Sequence, residues 1–263
     1  MHLGLGGKVA LVAAASKGLG RAIAHELAAE GAKVVLCART AGPLEQAARE
    51  IAQSTGAEVL AQPADVSKPG DIAALVDAAL AKFGRVDVLV TNSGGPPTGS
   101  FESLDADMWQ KATELTLFAP IELARRVLPG MRERKWGRIL NVTSIAVKQP
   151  IDGLMLSNSL RAAVTGWART LANEVARDGV TVNNLMPGYT ATERVVELAD
   201  ATARREGITP QQATAKWVRE IPAGRLGESR ELAALAAFLA SERAGYLTGT
   251  SIPVDGGWIR SLL

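Results

Sequence analysis

The sequence predicts an α/β protein in which helices cover both faces of one doubly wound parallel sheet of about seven strands. Short apolar runs and longer amphipathic segments alternate along the 263 residues, and such alternation builds right-handed crossovers between parallel strands. The apolar runs are nearly continuous, as strands buried on both faces require. No linker, repeat or low-complexity stretch interrupts the chain, so residues 1–263 are predicted to form a single domain.

Each predicted strand is a short run of apolar, often β-branched residues that stops at glycine, proline or a polar side chain. The first ends at the loop SKGLG, and the fourth ends at SGG. In chain order the seven strands are KVALVAAA, KVVLCA, EVLAQPADV, VDVLVTN, GRILNVTS, VTVNNLMPG and TSIPVDGG.

Longer segments between these strands repeat their apolar residues at helical spacing and predict helices. Gly31 follows the first of them, as glycine often follows a helix C-terminus. The predicted helices span about 20–30, 43–54, 69–83, 105–127, 154–177 and 228–240. A polar, irregular segment at about 190–220 contains Gly207 and Pro210, and we expect it to be a mobile helical lid over a binding pocket.

Composition excludes several classes of partner. Hydrophobic residues make up 47% of the chain, charged residues 21%, and the net charge is +2 without a clustered basic tract. We therefore expect no nucleic-acid or membrane partner. Cys37, the only cysteine, lies in an apolar strand, so we expect it to pack in the core. The two histidines are too few to form a metal site. The N-terminus has no signal-peptide pattern, so a soluble cytoplasmic protein is expected.

The loop AAASKGLG, residues 13–20, joins the first predicted strand to the first predicted helix. Glycines at such a junction let backbone N–H groups and the helix N-terminus face a pyrophosphate, although a plain tight turn has the same composition. The candidate cofactor-binding residues of this loop are Ala14, Ser16, Lys17, Gly18, Leu19 and Gly20.

The end of the second strand, VVLCART, bears on which dinucleotide would bind. An acidic residue there would accept a hydrogen bond from the ribose 2′-hydroxyl of NAD(H). The chain has Ala38 followed by Arg39, with Lys17 in the glycine loop. Two cations suit a 2′-phosphate, so NADP(H) is predicted, with NAD(H) as the alternative; solvated surface charges are the other interpretation.

Further segments occur in a diagnostic order: PADVS, VTNSGG, RAAVTGWARTLANEVARDGVTVN, PGYTAT and GTSIPVDGG. With the glycine loop they resemble, over nearly the whole chain, the short-chain dehydrogenase/reductase family and its 3-oxoacyl-carrier-protein reductase branch. The resemblance implies a Rossmann fold. It assigns to cofactor binding Asp65, Val66, Asn92, Gly94, Arg161, Pro187, Gly188 and Thr192. Ala14 replaces the first glycine of the family's loop, and we expect an alanine there to lose access to left-handed backbone angles.

The family resemblance also implies a catalytic tetrad of Asn, Ser, Tyr and Lys. In this chain Thr116 stands at the asparagine position and Ser144 at the serine position. Ser157 stands at the tyrosine position, and Arg161, four residues later, at the lysine position. Serine is a much weaker acid than tyrosine, and arginine stays charged, so neither replacement reproduces the family's proton transfer. A water molecule or Tyr189 are the alternative proton donors.

Two main functions are therefore open. The first is an NADP(H)-dependent oxidoreductase that reduces a carbonyl, such as a 3-oxoacyl thioester, with an atypical active site. The second is a non-catalytic cofactor-binding homologue that acts as a sensor or an oligomer partner. A different reaction in the same pocket is a third. The family further implies a homotetramer formed through 105–127, 154–177 and 251–254, with Leu171 and Val254 as candidates for burial between subunits.

Overall fold

The structure, a computed structural model that describes residues 2–262, confirms the predicted α/β class. Its strands form one parallel sheet in the order β3-β2-β1-β4-β5-β6-β7. The chain starts at the centre of the sheet and winds outward in both directions, which is the doubly wound arrangement. The strands are β1 (Val9–Val12), β2 (Lys33–Ala38), β3 (Val59–Pro63), β4 (Val88–Thr91), β5 (Gly137–Val142), β6 (Val180–Pro187) and β7 (Ser251–Val254).

Helices cover both faces of this sheet. They are α1 (Gly18–Ala29), α2 (Ala41–Thr55), α3 (Pro69–Phe83), α4 (Ala106–Thr113), α5 (Ala119–Glu133), α6 (Met155–Val175), α7 (Glu193–Glu206), α8 (Pro210–Glu220) and α9 (Ser229–Ala240). Among residues 2–262, no helix combines the length and the apolar character needed to cross a membrane.

The helix predicted over 105–127 differs from expectation in two ways. It is interrupted by a wider π-helical turn, Glu114–Phe118, which separates α4 from α5. It also continues through Pro129 to Glu133. The sequence Pro129-Gly130 indicates a helix end, but the fully buried side chain of Met131 anchors another turn against the sheet.

Each face of the sheet has its own apolar core. On one face, Ile23 of α1 and Leu44 of α2 pack with residues of α9 against the central strands. On the other face, Leu75 of α3 and Leu123 of α5 pack with residues of α6. Cys37 of β2 belongs to this second core, where burial, only partly opposed by a hydrogen bond from the backbone of Ala14, raises the pKa of its thiol to about 12.

A ladder of polar side chains crosses the four neighbouring strands β4, β5, β6 and β7. Thr91 Oγ1 donates to Asn141 Oδ1 at 2.7 Å, and Asn141 Nδ2 donates to Asn184 Oδ1 at 2.9 Å. Asn184 Nδ2 then donates to Ser251 Oγ at 3.0 Å. Each pair is also directly opposed in the register of β4, β5, β6 and β7. Because buried polar groups need partners, the ladder fixes that register close to the candidate site.

The segment predicted as a lid forms two helices, α7 and α8, which meet at Gly207. Ala199 of α7 and Ala213 of α8 are buried between them together with Trp217. The ring of Trp217 stacks on Tyr189, which follows β6, with 4.6 Å between ring centroids. The pair of helices is therefore anchored to the sheet through a small cluster of its own, separate from the two main cores.

Candidate cofactor and active site

The candidate site lies at the carboxyl ends of the parallel strands, where open α/β sheets bind their ligands. The glycine loop follows β1 and leads into α1. A Cβ atom placed on Gly20 would collide with the backbone oxygen of Ala14 and lie 2.8 Å from Asn92 Nδ2, so no other residue fits there without rearrangement. Gly18 has φ of 56°, and a Cβ there would meet the Thr192 methyl at an ordinary contact distance of 3.7 Å.

Ala14 overturns one expectation, because it does adopt a left-handed conformation, with φ of 49°. Its neighbours explain why. The amide of Ala13 donates to Val90 O at 3.0 Å, and that of Ala15 donates to Cys37 O at 2.9 Å. The backbone is thus held on both sides, and Ala14 keeps the loop shape that glycine usually provides. This conformation costs alanine about 1–2 kcal/mol of strain.

The start of α1 has the features of an anion site. Lys17, at its N-cap position, makes no side-chain capping bond, and no acid occupies the first turn. The first backbone N–H groups of the helix therefore have no capping side chain as a hydrogen-bond acceptor, and they face the glycine loop. Ser16 and Leu19 lie half-buried on either side of these groups, and Lys17 is exposed.

Arg39 and Asp65 lie on the side of β2 and β3. Arg39 is exposed directly after β2. Asp65, after β3, accepts hydrogen bonds from the backbone and the hydroxyl of Ser67 at 3.1 and 2.8 Å. Burial opposes ionisation of Asp65, but the Ser67 bonds and then the charges of Arg39 and Lys68 outweigh it and lower its pKa. Val66 is buried beside it.

The opposite half of the cleft is formed by loops after β4 and β6. Asn92 and Gly94 follow β4, and Asn92 Nδ2 reaches the Ala14 oxygen at 3.4 Å. Pro187 ends β6, and Gly188 follows it. A Cβ on Gly188 would lie 2.7 Å from Asp255 Cα, so the turn after β7 passes too close for a side chain. Thr192 then brings the start of α7 beside Gly18.

The residues at the tetrad positions gather around the end of β5. Ser144 Oγ accepts a hydrogen bond from the Ala146 amide at 3.1 Å, which leaves its own proton free to donate. Ser157 is buried in the first turn of α6. Arg161, one turn further along, is also buried and donates from Nη1 to Val142 O at 2.6 Å.

Thr116 and Arg161 line one small cavity with room for about one water molecule. Thr116 is 2% exposed, and its hydroxyl has no partner in the part of the chain that the structure describes. It lies in the π-helical turn, and such turns are frequent at functional sites. Asn92, Ser93 and Thr143 line the same cavity. The cavity therefore brings together Thr116, Arg161 and Asn92, whereas Ser144 and Ser157 do not line it. No sequence pattern indicates the π-helical turn itself.

Two further contacts of the site could not be predicted from the sequence. Tyr189 is stacked on Trp217 and meets Trp258 edge to face at 5.9 Å. Burial, and then the charge of Glu220, raise the pKa of Tyr189 to about 12, so it is a weaker acid than an exposed tyrosine.

Arg194, from the first turn of α7, donates from Nη2 to the backbone carbonyl of Pro96 at 2.8 Å and covers the loop after β4.

Comparison with known proteins agrees with this geometry. A family model described as enoyl-(acyl carrier protein) reductase matches residues 13–259. The 3-oxoacyl-(acyl-carrier-protein) reductase of Escherichia coli (strain K12) is 36% identical over 251 residues, which cover 95% of this chain and 97% of that protein. The D-beta-hydroxybutyrate dehydrogenase of Cupriavidus necator is 35% identical over 97% of this chain and 99% of its own.

Solved structures are equally similar. L-sorbose reductase from Gluconobacter frateurii, in complex with NADPH and L-sorbose, superposes with a TM-score of 0.94 at 35% identity, over 100% of both chains. An actinorhodin polyketide ketoreductase with NADPH has a TM-score of 0.93 at 31% identity, covering 97% of this chain and 98% of that one. On its sequence, its sheet and its cleft, the chain belongs to the short-chain dehydrogenase/reductase family of oxidoreductases.

Proposed function

We propose that the protein is an NADP(H)-dependent reductase of a small-molecule carbonyl, such as a 3-oxoacyl thioester, with an atypical active site. The observation that carries this proposal is the cleft itself. It joins an uncapped helix N-terminus and a glycine loop, which has no room for a side chain at Gly20, to Ser144 and Arg161 at the end of β5. Relatives with NADPH in their solved structures support the choice of cofactor.

The residues present fit a dinucleotide. The Gly18–Gly20 turn and the N–H groups of α1 would hold the pyrophosphate. Arg39 and Lys17 would hold a 2′-phosphate, with Asp65 and Val66 beside the adenine. Arg161 has further N–H donors besides the one bound to Val142 and would bond ribose hydroxyls in the other half of the cleft. The remaining contacts would come from Asn92, Gly94, Pro187, Gly188 and Thr192.

The bound nicotinamide would supply hydride to the carbonyl carbon. Ser144 would donate its free proton in a hydrogen bond to the carbonyl oxygen and so orient it. Arg161 has a pKa of about 10, lowered by burial and then by the charge of Arg194, and is still charged at neutral pH. It can stabilise negative charge on oxygen but transfers no proton. The proton would come from water, because Tyr189 is held in its aromatic stack.

Titration with reduced cofactors tests the cofactor assignment. Isothermal calorimetry should show tighter binding of NADPH than of NADH, because Arg39 and Lys17 complement a 2′-phosphate and no acid follows β2. Arg39→Gln should reduce this preference and leave NADH binding nearly unchanged. Equal affinities for the two cofactors would contradict the assignment, and no binding of either would contradict the function as a whole.

Turnover tests the chemistry. We expect slow NADPH consumption by the natural protein with a panel of 3-oxoacyl thioesters and small diketones. Ser157→Tyr combined with Arg161→Lys should raise the rate at least about 10-fold, the lower end of what a positioned general acid contributes. Each single change should help less, since the two groups act as a unit. Rapid turnover that the double change abolishes would show that Ser157 and Arg161 serve a mechanism of their own.

A second function is favoured by one observation. Ser157, at the position of the family's acid, is buried and is a much weaker acid than tyrosine. A non-catalytic homologue that binds the cofactor as a sensor or an oligomer partner would have this property. We place it second. It predicts NADPH binding with no turnover of any carbonyl in the panel, and no gain in the double variant.

A further inference from the structure

Two guanidinium groups face the same half of the cleft. Arg161 of α6 is 9% exposed, and its guanidinium donates a hydrogen bond to the backbone oxygen of Val142. Within residues 2–262 no carboxylate lies at ion-pair distance from it. A buried charge without a counter-ion is unusual, because desolvation costs several kcal/mol that a paired acid normally offsets.

Arg194 approaches from the opposite side of the cleft. Its guanidinium is held by the carbonyl of Pro96, and a Cβ on Gly95 would lie 2.6 to 2.7 Å from its atoms. The group therefore lies directly against the Gly95 backbone. Its charge reaches Arg161, since burial and then Arg194 lower the pKa of that residue. Both guanidinium groups therefore lie beside the loop after β4, because Arg161 lines a cavity together with Ser93 and Arg194 lies against Gly95.

Neighbouring acids compensate these charges weakly. Glu197 pairs with Arg194 at 3.2 Å, but the Glu197 side chain is 59% exposed, so solvent screens the pair. Glu193 faces the glycine loop, where its Oε2 lies 3.9 Å from a Cβ placed on Gly18. The part of the cleft between Arg161 and Arg194 therefore has a net positive field.

Topology indicates which part of a dinucleotide would occupy this field. In a doubly wound sheet the two nucleotide halves lie on either side of the central switch point, here between β1 and β4. Arg39 and Asp65 mark the β2–β3 side as the adenosine half. Arg161 and Arg194, above β4 to β6, are then on the nicotinamide side.

We propose that Arg161 and Arg194 make the site selective for the oxidation state of the cofactor, so that it binds NADPH in preference to NADP⁺. The oxidised nicotinamide ring carries a positive charge and the reduced ring carries none; the two forms are otherwise nearly identical. Repulsion from two fixed cations in a poorly solvated cleft raises the free energy of the oxidised form alone. The inference rests on the proposed NADP(H) site and adds that Arg194 is a specificity-determining residue.

The consequence depends on what the protein does with the cofactor. In a reductase, weak binding of NADP⁺ speeds the exchange of spent for fresh cofactor and favours the reductive direction. In a non-catalytic homologue, the same selectivity makes occupancy of the site follow the ratio of NADPH to NADP⁺. Both roles come from the same two side chains.

The test is calorimetric titration of the full-length protein with NADPH and with NADP⁺, without any substrate. We expect NADPH to bind at least about 10-fold more tightly, which corresponds to about 1.4 kcal/mol of repulsion. Arg194→Gln and Arg161→Gln should each lower the affinity ratio at least about 3-fold. Arg194→Gln should do so mainly by improving NADP⁺ binding, whereas Arg161→Gln also removes bonds to the ribose and so weakens the binding of both forms. Arg161→Lys, which keeps the charge, should retain the ratio.

Arg39→Gln is the matched control. It removes a cation at the adenosine end, which is the same in both oxidation states, so both affinities should fall and their ratio should stay constant. A ratio near one in the natural protein, or a ratio that neither glutamine variant changes, would overturn this inference while leaving the proposed cofactor site intact. Failure to bind either form would refute the cofactor site and this inference with it. Arg194 is partly exposed, so its variant keeps the test valid even where Arg161→Gln does not fold.

Discussion

At the scale of single residues, the most unusual backbone of the site is at Ala14. An L-residue with φ of 49° carries strain that glycine does not. The hydrogen bonds of Ala13 and Ala15 hold the loop in this shape, so the strain is stored in the native state and is absent from the unfolded chain.

We therefore predict that Ala14→Gly stabilises the protein by about 1 kcal/mol, since relief of strain exceeds the added chain entropy of glycine. Urea denaturation measures the difference. Ala15→Gly is the control, because Ala15 is fully buried and has no left-handed backbone; it should lose about 1–2 kcal/mol. A loss of stability in both variants would show that the backbone of the loop carries no strain with alanine at position 14.

At the scale of elements, the polar ladder links β4 to β7 beneath the site. We predict that Asn141→Ala lowers the free energy of unfolding by about 3 kcal/mol, because it leaves the Thr91 hydroxyl and the side-chain oxygen of Asn184 without partners in a buried position. Ser251→Ala removes one bond at the half-buried end of the ladder and should cost only about 1 kcal/mol. Equal effects in urea denaturation would mean that the ladder does not act as a unit.

Two side-chain contacts join α7, the first helix of the predicted lid, to neighbouring loops. Arg194 binds the Pro96 carbonyl at one end of α7, and Arg205 binds the Asp152 carbonyl at 3.3 Å near the other. We predict that amides of α7 and α8 exchange hydrogen faster than those of β4 and β5, and that NADPH slows them. Trp217→Ala should accelerate exchange in the lid alone, whereas Trp217→Phe should retain the stack on Tyr189. Exchange as slow as that of the central strands without ligand would refute a mobile lid.

The strands were predictable to within a few residues because burial on both faces leaves continuous apolar runs. KVVLCA, for example, is β2 in full. The π-helical turn at 114–118 could not be predicted, since the apolar spacing around Thr116 is that of an ordinary helix. The ladder and the contact of Arg194 with Gly95 were also beyond the sequence, because each depends on a register or an approach between distant segments. The tetrad positions were located only through the family resemblance.

At the scale of the whole molecule, a homotetramer remains a prediction. Phe118, at the outer end of the π-helical turn, is 58% exposed, and Leu171 and Val254 are only partly covered. We expect light scattering at micromolar concentration to give a tetramer, and Phe118→Glu to give a smaller species, because a charge in an apolar contact is costly. Val196→Glu, an exposed position on α7, is the control that should leave the mass unchanged. A monomeric natural protein would contradict the prediction.

The buried thiol of Cys37 has a practical consequence. With a pKa of about 12 and no exposure, it carries almost no thiolate at neutral pH and is closed to reagents. Since the chain has no other cysteine, maleimide chemistry on the folded protein should find no target. A cysteine introduced at Val196, on the outer surface of α7, would then be a unique attachment point. A fluorophore there would test in real time whether the predicted lid opens, without the need to remove a native cysteine first.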